Sequence, residues 1–499
     1  MIAAFLLAFA IQAPPGARDS LLPIDPAVTT GRLPNGLRYY IRVNHRPAKR
    51  AELRLVVNAG SVLEDPDQRG MAHFVEHMAF NGTAHFRKQE LVDYIESIGM
   101  RFGADLNAYT SFDETVYQLQ VPTDSAHIVR RGFQILEDWA HGVTFDTTEI
   151  RKERGVVMEE WRLGRGAGQR MFDQQLPVLF RGSRYAERLP IGTPECIRSC
   201  SAAAIRRFYR DWYRPDLLAV VAVGDFDPRV ILALIRRRFG GIARRPARRP
   251  RTLAPVPAHR TAEVSIATDP EATSTSVSVY VQRRPGARGT VAGWRTDLVE
   301  NLAAGILNER LYELSQKPDP PFLGAGVGRQ SLVRTSEAFS FGAGVPDSGV
   351  RRGLRAVLTE LERAGRHGFT QPELDRMRLE YLRGLEQAYA ERDKTESGGH
   401  ASEYVEHFLT GVGIPGIAHE YQRARAVLPR VTRADLDAVA RRWLTGGAPV
   451  ILVNAPEKNR GILPSPAELL GLFESVRREE IAAWSENVSQ DSLVSAKLT

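Results

Sequence analysis

Two histidines and a glutamate stand close together in the run His73-Phe74-Val75-Glu76-His77. On a helix, residues at i and i+4 lie on one face about a turn apart, so both imidazoles can bind one cation. Glu76 lies beside them, where its carboxylate can reach a water bound to that cation. The spacing therefore predicts a zinc site with Glu76 as its catalytic base. The ordinary alternative is a pair of core histidines beside a surface glutamate.

A catalytic zinc needs a third protein ligand and an open position for water. The best source in the sequence is the run Glu153-Arg154-Gly155-Val156-Val157-Met158-Glu159-Glu160. On a helix, Glu153 and Glu160 are two turns apart and share a face, whereas Glu159 points about 100° away from Glu160. The shared face lets one carboxylate bind the metal while the other orients a ligand. Surface glutamates on a charged helix are the alternative.

Apolar periodicity predicts the elements that must position these side chains. The histidines fall in a predicted helix over 70–81 and the glutamates in another over 147–162. Alternating or continuous apolar runs predict strands around them, at 38–42, 53–58, 106–110, 115–121 and 217–223. The other helices predicted in this part of the chain cover 88–98, 125–139, 201–212 and 229–238.

A second block of the chain has a similar pattern. Its predicted strands cover 263–267, 275–281, 339–344 and 450–454, and its predicted helices cover 298–314, 350–364, 371–390 and 433–443. We therefore predict an α+β fold of two related domains, 28–242 and 259–460, each a mostly antiparallel sheet covered by helices. The Arg- and Pro-rich segment 243–258 predicts an extended linker, with a basic docking patch as the alternative. Residues 461–499 predict a helix followed by a polar connector tail.

The first residues form a short apolar run followed by Gln12-Ala13-Pro14-Pro15. This run is too short to span a membrane and is typical of a secretory signal peptide, here 1–13, so we expect a periplasmic or otherwise exported protein. A buried terminal strand is the alternative. No other run approaches the length of a spanning helix, so no membrane span is predicted. In an exported protein Cys196 and Cys200 can form a local disulfide, and two half-buried thiols are the alternative.

Size and charge narrow the class of protein. A chain of 499 residues is too long for one ordinary domain, and 43% hydrophobic with 25% charged residues is typical of a soluble globular protein. The net charge of +8 comes from arginines scattered along the chain, without the aromatic-interleaved basic motifs of nucleic-acid modules. We therefore predict no nucleic-acid partner. A mildly basic surface that attracts acidic peptides is left open.

The chain resembles the pitrilysin/insulinase family of zinc metallopeptidases, the inverted zincins, over nearly its whole length. The matching segments are 73–83, 106–110, 153–160, 191–195 and 208–215. Carried over by motif, the resemblance implies one Zn²⁺ per chain, held by His73, His77 and Glu160. It implies Glu76 as the base and Glu153 as a helper. Glu160 lies slightly farther from His77 than is usual in the family, but the Glu-Arg-led motif selects Glu160 rather than Glu159.

The resemblance also implies how substrate and partner are held. Asn107, Ala108 and Tyr109 would lie on the edge strand along which family members bind an extended peptide, although an ordinary sheet strand is the alternative. The run 310–322 has Ser315 or Gln316, and Phe322 or a neighbour, where the family places a gripping arginine and tyrosine. Complete members join two such halves into a clamshell. This chain most resembles the first half of a periplasmic bacterial member, which implies a second half, a partner chain or self-association.

The function implied by these features is a zinc-dependent endopeptidase that acts on peptides or unfolded polypeptides. Two alternatives are a non-catalytic scaffold or binding subunit of the same fold and a presequence-processing peptidase subunit. The complete set of His73, Glu76 and His77 argues against a scaffold, which has no need of it. A processing subunit shares the chemistry and differs in its substrate.

Overall fold

The computed structural model describes residues 19–243 and 249–485, which form two sheets and the helices that cover them. The strands are β1 (Val28–Arg32), β2 (Arg38–Val43), β3 (Arg50–Val57), β4 (Leu106–Thr110), β5 (Thr115–Pro122), β6 (Leu218–Gly224), β7 (Glu263–Asp269), β8 (Thr275–Arg283), β9 (Gly324–Val333), β10 (Ser336–Val345) and β11 (Val450–Pro456). The helices are α1 (Met71–Met78), α2 (Glu90–Ser97), α3 (Ala126–His141), α4 (Thr147–Leu163), α5 (Ala167–Leu179), α6 (Pro194–Ser199), α7 (Ala202–Trp212), α8 (Pro228–Phe239), α9 (Val291–Ser315), α10 (Val350–His367), α11 (Gln371–Ala390), α12 (Ser397–Thr410), α13 (Ile417–Val427), α14 (Arg433–Thr445) and α15 (Pro466–Arg478).

The first sheet has the order β1-β2-β6-β3-β5-β4, and its neighbours are antiparallel except for the parallel pair β2 and β6. Its central strand β6 is buried along its whole length. Leu218, Val220 and Ala222 of β6 pack in the core that contains α1 and α3, whereas Val221 and Val223 pack on the opposite face against α12. Because both faces are covered, the strand is a continuous apolar run rather than an alternating one.

The second sheet has the order β7-β11-β8-β10-β9, again with one parallel pair, β7 and β11. Without β1, each sheet has five strands, and the two sheets have the same strand order. If the five strands are numbered along the chain, their order across each sheet is first, fifth, second, fourth, third. The prediction of two related α+β domains with mostly antiparallel sheets is therefore confirmed, and the repeat lies in the strand order. The exact domain boundaries stay predictions.

Several elements were not predicted, and their composition explains why. β9 carries three glycines, a residue depleted in strands, and α12 begins with Ser397-Gly398-Gly399, a poor start for a helix. α5 contains Pro177 within the helix, and α6 has only 6 residues. The remaining elements missed from the sequence are β1 and α13.

Some predicted features fall outside the described residues or were left open. The signal peptide 1–13, the linker residues 244–248 and the connector residues 486–499 all lie outside the described part of the chain. Cys196 and Cys200 are joined by a disulfide, which the sequence left open. Within 19–243 and 249–485, no helix is both long enough and apolar enough to cross a membrane.

Candidate metal centre

The short helix α1 carries His73, Glu76 and His77 and is fixed by its apolar side. Phe74, Val75 and Met78 are fully buried in the first core. The helix begins after Gly70, whose φ of 94° favours glycine, and a side chain there would meet the backbone of Gly192 at 2.9 Å. The chain around α1 therefore leaves little freedom for the two histidines to move.

The start of α1 is held by Glu64, a fully buried carboxyl group that the sequence did not single out. Its Oε2 accepts the N–H of Gly70 at 3.0 Å, and its Oε1 accepts the N–H of Ala72 at 2.8 Å. Burial raises the pKa of Glu64 to about 8 despite these hydrogen bonds. The Glu64 side chain thus accepts hydrogen bonds from two backbone N–H groups at the start of α1.

Replacing Glu64 by leucine is expected to destabilise the fold, because the N–H groups of Gly70 and Ala72 would be buried without acceptors. Each unpaired buried group costs about 1–3 kcal/mol. The free energy of unfolding should be measured by urea denaturation, beside the same change at the exposed Glu195, which should shift it by less than about 0.5 kcal/mol. Equal values for the two variants would show that Glu64 does not hold the helix.

The helix α4 brings Glu160 against both histidines. Glu160 Oε2 lies 3.2 Å from His77 Nε2, and Glu160 Oε1 lies 3.6 Å from His73 Nε2. One ligand atom from each of the three residues lies within 4.8 Å of the others. Ligands of a tetrahedral zinc, with bonds of about 2.0–2.1 Å, lie roughly 3.4 Å apart, and two imidazoles with a carboxylate are a zinc donor set. The three residues therefore fit a zinc ion.

Glu153 lies behind His77 rather than in the ligand set. The Nδ1–H of His77 donates to Glu153 Oε1 at 2.7 Å, and the Asn81 side chain donates to Glu153 Oε2 at 2.8 Å. Because Nδ1 is committed to Glu153, Nε2 is the ring nitrogen that faces Glu160 and that would bind a metal after losing its proton. The Nδ1 of His73, by contrast, is buried and has no partner among the described residues. The carboxylate–histidine contact therefore orients His77 alone.

Glu76 is buried beside the histidines and is held by a residue of the edge strand. The hydroxyl of Thr110 on β4 donates to Glu76 Oε2 at 2.6 Å. Burial raises the pKa of Glu76 to about 6, which places the group near the range where a general base works at neutral pH. No role for Thr110 or Asn81 could be predicted from the sequence, because the carboxylates that they contact lie 34 and 72 positions away.

The two histidines have different proton affinities in this arrangement. Burial and the neighbouring His77 lower the pKa of His73 to about 4. Burial also opposes the charged form of His77, but Glu153 and Glu160 outweigh it and raise the pKa of His77 to about 9. The hydrogen bond from His77 lowers the pKa of Glu160. A metal at this site must displace the His77 proton, so its binding should release a proton.

The side chains of Glu159 and Glu160 point in different directions from α4, as the helical geometry predicts. Glu160 faces the histidines, whereas Glu159 is exposed and forms an ion pair with Arg162.

Replacing Glu160 by glutamine should weaken zinc binding by about tenfold or more, because a carboxylate ligand becomes a neutral amide. Glu159→Gln is the matched control and should leave zinc affinity unchanged, since its side chain points to solvent. A chelator titration of the two variants measures the difference. If Glu159→Gln loses more zinc affinity than Glu160→Gln, the ligand assignment is wrong.

The strand β4 forms an edge of the first sheet and carries Asn107, Ala108 and Tyr109. The carbonyl of Leu106 accepts the N–H of Gly103 at 2.8 Å, so this end of the edge is covered by a turn. The N–H of Ala108 donates to its neighbour's side chain, Asn107 Oδ1, at 2.9 Å. From Ala108 onward β4 has no second strand partner in the described part of the chain. The edge is thus open to an added strand.

The residues that stand in place of the gripping arginine and tyrosine differ in exposure: Gln316 is exposed, whereas Phe322 is withdrawn from the surface. Phe322 is buried in the second core. Ser315 ends α9, and its hydroxyl donates to the carbonyl of Tyr312. A buried phenylalanine is not available to contact a substrate, so this half offers no replacement for the tyrosine at that position.

Models of known protein families match two parts of the chain. The model described as Insulinase (Peptidase family M16) matches residues 40–167, a range that contains both histidines and all three glutamates of the site. The model described as Peptidase M16 inactive domain matches residues 199–381.

Individual proteins align with nearly the whole chain. The zinc protease PQQL-like of Arabidopsis thaliana is 35% identical over 473 residues, 94% of this chain and 46% of that protein. The probable zinc protease PqqL of Escherichia coli (strain K12) is 32% identical over 469 residues, 93% of this chain and 50% of that protein. A crystal structure of the first half of the periplasmic protease PqqL from Escherichia coli matches with a TM-score of 0.88 and 27% identity, covering 94% of this chain and 100% of that chain. The chain thus spans about half the length of the curated relatives it matches.

Proposed function

Since the chain belongs to the insulinase family, peptidase family M16, we propose that it is a zinc-dependent endopeptidase for peptides or unfolded polypeptides. The observation that carries this proposal is the meeting of His73, His77 and Glu160 beside a buried carboxyl group, Glu76. A non-catalytic binding subunit would have no need of that combination. A presequence-processing subunit would use the same site and differ only in its substrate.

The proposed roles follow from the contacts of each residue. A zinc ion held by His73, His77 and Glu160 would polarise the scissile carbonyl of the substrate and lower the pKa of the water bound to the ion. Thr110 fixes Glu76 Oε2, so we assign Glu76 Oε1 to the proton transfer. Glu76 takes a proton from the attacking water and passes it to the leaving amine. Glu153 keeps the His77 ring in the orientation that its Nε2 requires.

We propose that β4 holds the substrate as an added strand. Backbone hydrogen bonds to the open edge at Ala108 would bind an extended peptide of any sequence. A substrate carbonyl would take the place that Asn107 Oδ1 now occupies on the Ala108 N–H. Thr110 of the same strand contacts Glu76, so a peptide on this edge would run towards the base. Asn107, Ala108 and Tyr109 are therefore proposed as the substrate-binding segment.

We propose that the chain acts with a second half or a partner chain, in the periplasm or otherwise outside the cytoplasm. The proposal rests on the match to half of each relative and on the relative described as a periplasmic protease. The second domain has Ser315 or Gln316 and a buried Phe322 where the resemblance places the gripping residues, so we propose that another chain segment supplies them.

The chain alone is expected to hydrolyse peptides poorly, because positioning the substrate contributes several kcal/mol to catalysis, at most about 7–11 kcal/mol. We would measure bound zinc and the hydrolysis of a quenched peptide library by the purified chain. The assay is then repeated after adding the second half of Escherichia coli PqqL as a separate chain. Addition should raise the rate about tenfold or more. Strong activity in a strictly monomeric sample, unchanged by the addition, would show that the chain is self-sufficient.

A further inference from the structure

A cleft of 730 Å³ lies where the linker meets the second domain, and its charged lining is entirely basic. Its lining includes the arginines Arg251, Arg284, Arg288 and Arg334. Among the described residues that line this arginine cleft there is no aspartate or glutamate. Guanidinium groups gathered in a concave site attract anions, and carboxylates in particular, because both groups are planar and can form paired hydrogen bonds.

Two of these arginines are buried and form the fixed wall of the cleft. Arg251 donates from Nη2 to Asp113 Oδ1 at 3.0 Å, and Arg334 donates from Nη2 to Glu114 Oε2 at 2.9 Å. Those carboxylates do not line the arginine cleft but face the adjoining cavity, and they balance the two charges. The Arg251 side chain is only 7% exposed, yet its Nη1 has no partner in the described part of the chain. Arg251 is therefore held in place by its bonds to Asp113, and its unpaired nitrogen lies below the surface of the wall.

The other two arginines carry unbalanced charge. Arg284 is exposed and Arg288 half-buried, and neither has a hydrogen-bond or ion-pair partner within residues 19–243 and 249–485. With Arg251 and Arg334 balanced by Asp113 and Glu114, these two side chains leave an excess of positive charge on the cleft.

The arginine cleft continues into a second cavity of 450 Å³ that reaches the proposed substrate strand. Arg288, Arg334, Leu409 and Thr410 line both spaces, and Tyr109 of β4 lines the second. The second cavity is also lined by Arg54 and by three acidic residues. Asp113 and Glu114 are paired with Arg251 and Arg334, whereas Glu406 has no ion pair in the described structure. A peptide added along β4 would therefore lie beside the second cavity at Tyr109, and that cavity leads to Arg288 of the arginine cleft.

We propose that the arginine cleft binds carboxylate side chains in an acidic segment of the polypeptide substrate, away from the cleaved bond; this inference rests on the proposed function. Arg284 and Arg288 would contact the carboxylates, beside the wall formed by Arg251 and Arg334. The cleft would thus favour substrates with acidic flanking segments, whereas the backbone bonds on β4 are indifferent to sequence.

The test is a binding measurement that needs no hydrolysis. A fluorescent hexaglutamate peptide and a hexaglutamine peptide of the same length are titrated with the full chain at low salt, by fluorescence anisotropy. The variant is Arg284→Ala/Arg288→Ala. The matched control is Arg236→Ala/Arg237→Ala on α8, which removes the same charge from an exposed surface that lines neither cavity. Thermal melting of both variants shows that the fold is retained.

Hexaglutamate should bind more tightly than hexaglutamine, and the cleft variant should lose about tenfold or more in affinity. The control variant should lose less than about twofold, and added salt should weaken binding. Equal losses in the two variants would show general surface attraction and overturn the proposal. Competition by inorganic phosphate at the same concentration as peptide would identify a small-anion site instead, and would also overturn it. Because the titration measures binding and not cleavage, it tests the arginine cleft even if the peptidase assay shows no hydrolysis.

Discussion

Replacing Glu76 by glutamine is expected to abolish peptide hydrolysis while the fold and the zinc content stay unchanged. Glutamine has nearly the same shape and can still accept the Thr110 hydrogen bond, but it cannot take a proton from water. General base catalysis contributes about 10²–10⁴-fold to such reactions, so the rate should fall by at least that factor. Initial rates on a quenched peptide, together with zinc analysis and thermal melting, measure the three properties.

The matched control for this prediction is Glu159→Gln, which makes the same change on an exposed surface of α4. It should retain the full rate. Both variants are best compared in the presence of the second half, where the rate is expected to be highest. Undiminished hydrolysis by Glu76→Gln would rule out the proposed base, and loss of zinc in that variant would mean that Glu76 is a ligand instead.

His77→Ala is expected to lose zinc, because it removes one of three protein ligands. Structural zinc sites with four ligands bind with about 10–16 kcal/mol, so one ligand contributes on the order of 10²–10³-fold in affinity. His77 should be the costlier of the two histidines, since its loss also leaves Glu153 Oε1 without its hydrogen-bond partner. Zinc content after dialysis, and the dissociation constant in a chelator titration, measure the effect.

The control for the histidine variants is His127→Ala, an exposed histidine at the start of α3. Its zinc content should equal that of the unchanged chain. His73→Ala should also lose zinc, but by a smaller factor, because the Nδ1 of His73 orients no other residue in the described structure. Normal zinc occupancy in His77→Ala would refute the assignment of the ligands.

Local periodicity predicted the part of the site that lies within single elements. The i, i+4 spacing of His73 and His77 needs only a helix, and the seven-residue spacing of Glu153 and Glu160 needs only a second one. Strand β4 and helix α11 begin and end at the predicted residues. In α1 the apolar residues Phe74, Val75 and Met78 are all buried, so local and global preferences agree there.

The supporting contacts of the site could not be predicted in this way. Glu64 holds a helix start in its own neighbourhood, but only the fold shows that both of its oxygens face amide groups. Thr110 and Asn81 act through side-chain hydrogen bonds between separate elements. Such contacts depend on how helices and strands pack, which a pattern within one segment does not specify.

The packing of α12 also escaped prediction, for two reasons. Two glycines near its start weaken the helical pattern. Moreover, its position in the sequence, between helices of the second domain, gives no sign that it packs on the first sheet. Tyr404, Val405 and Leu409 nevertheless join Val221 and Val223 of β6 in one cluster.

Because α12 follows the linker in sequence but packs on the first sheet, the chain cannot be cut at the linker into two independent domains. A fragment that stopped at the linker would expose the face of β6 that carries Val221 and Val223, together with Val56 and Val116 from neighbouring strands. An exposed β-branched surface on an open sheet promotes association between molecules. The metal-binding segment is thus not an autonomous folding unit, although its sheet is complete. Protease nicking within the linker should therefore leave two pieces that stay associated rather than two soluble domains.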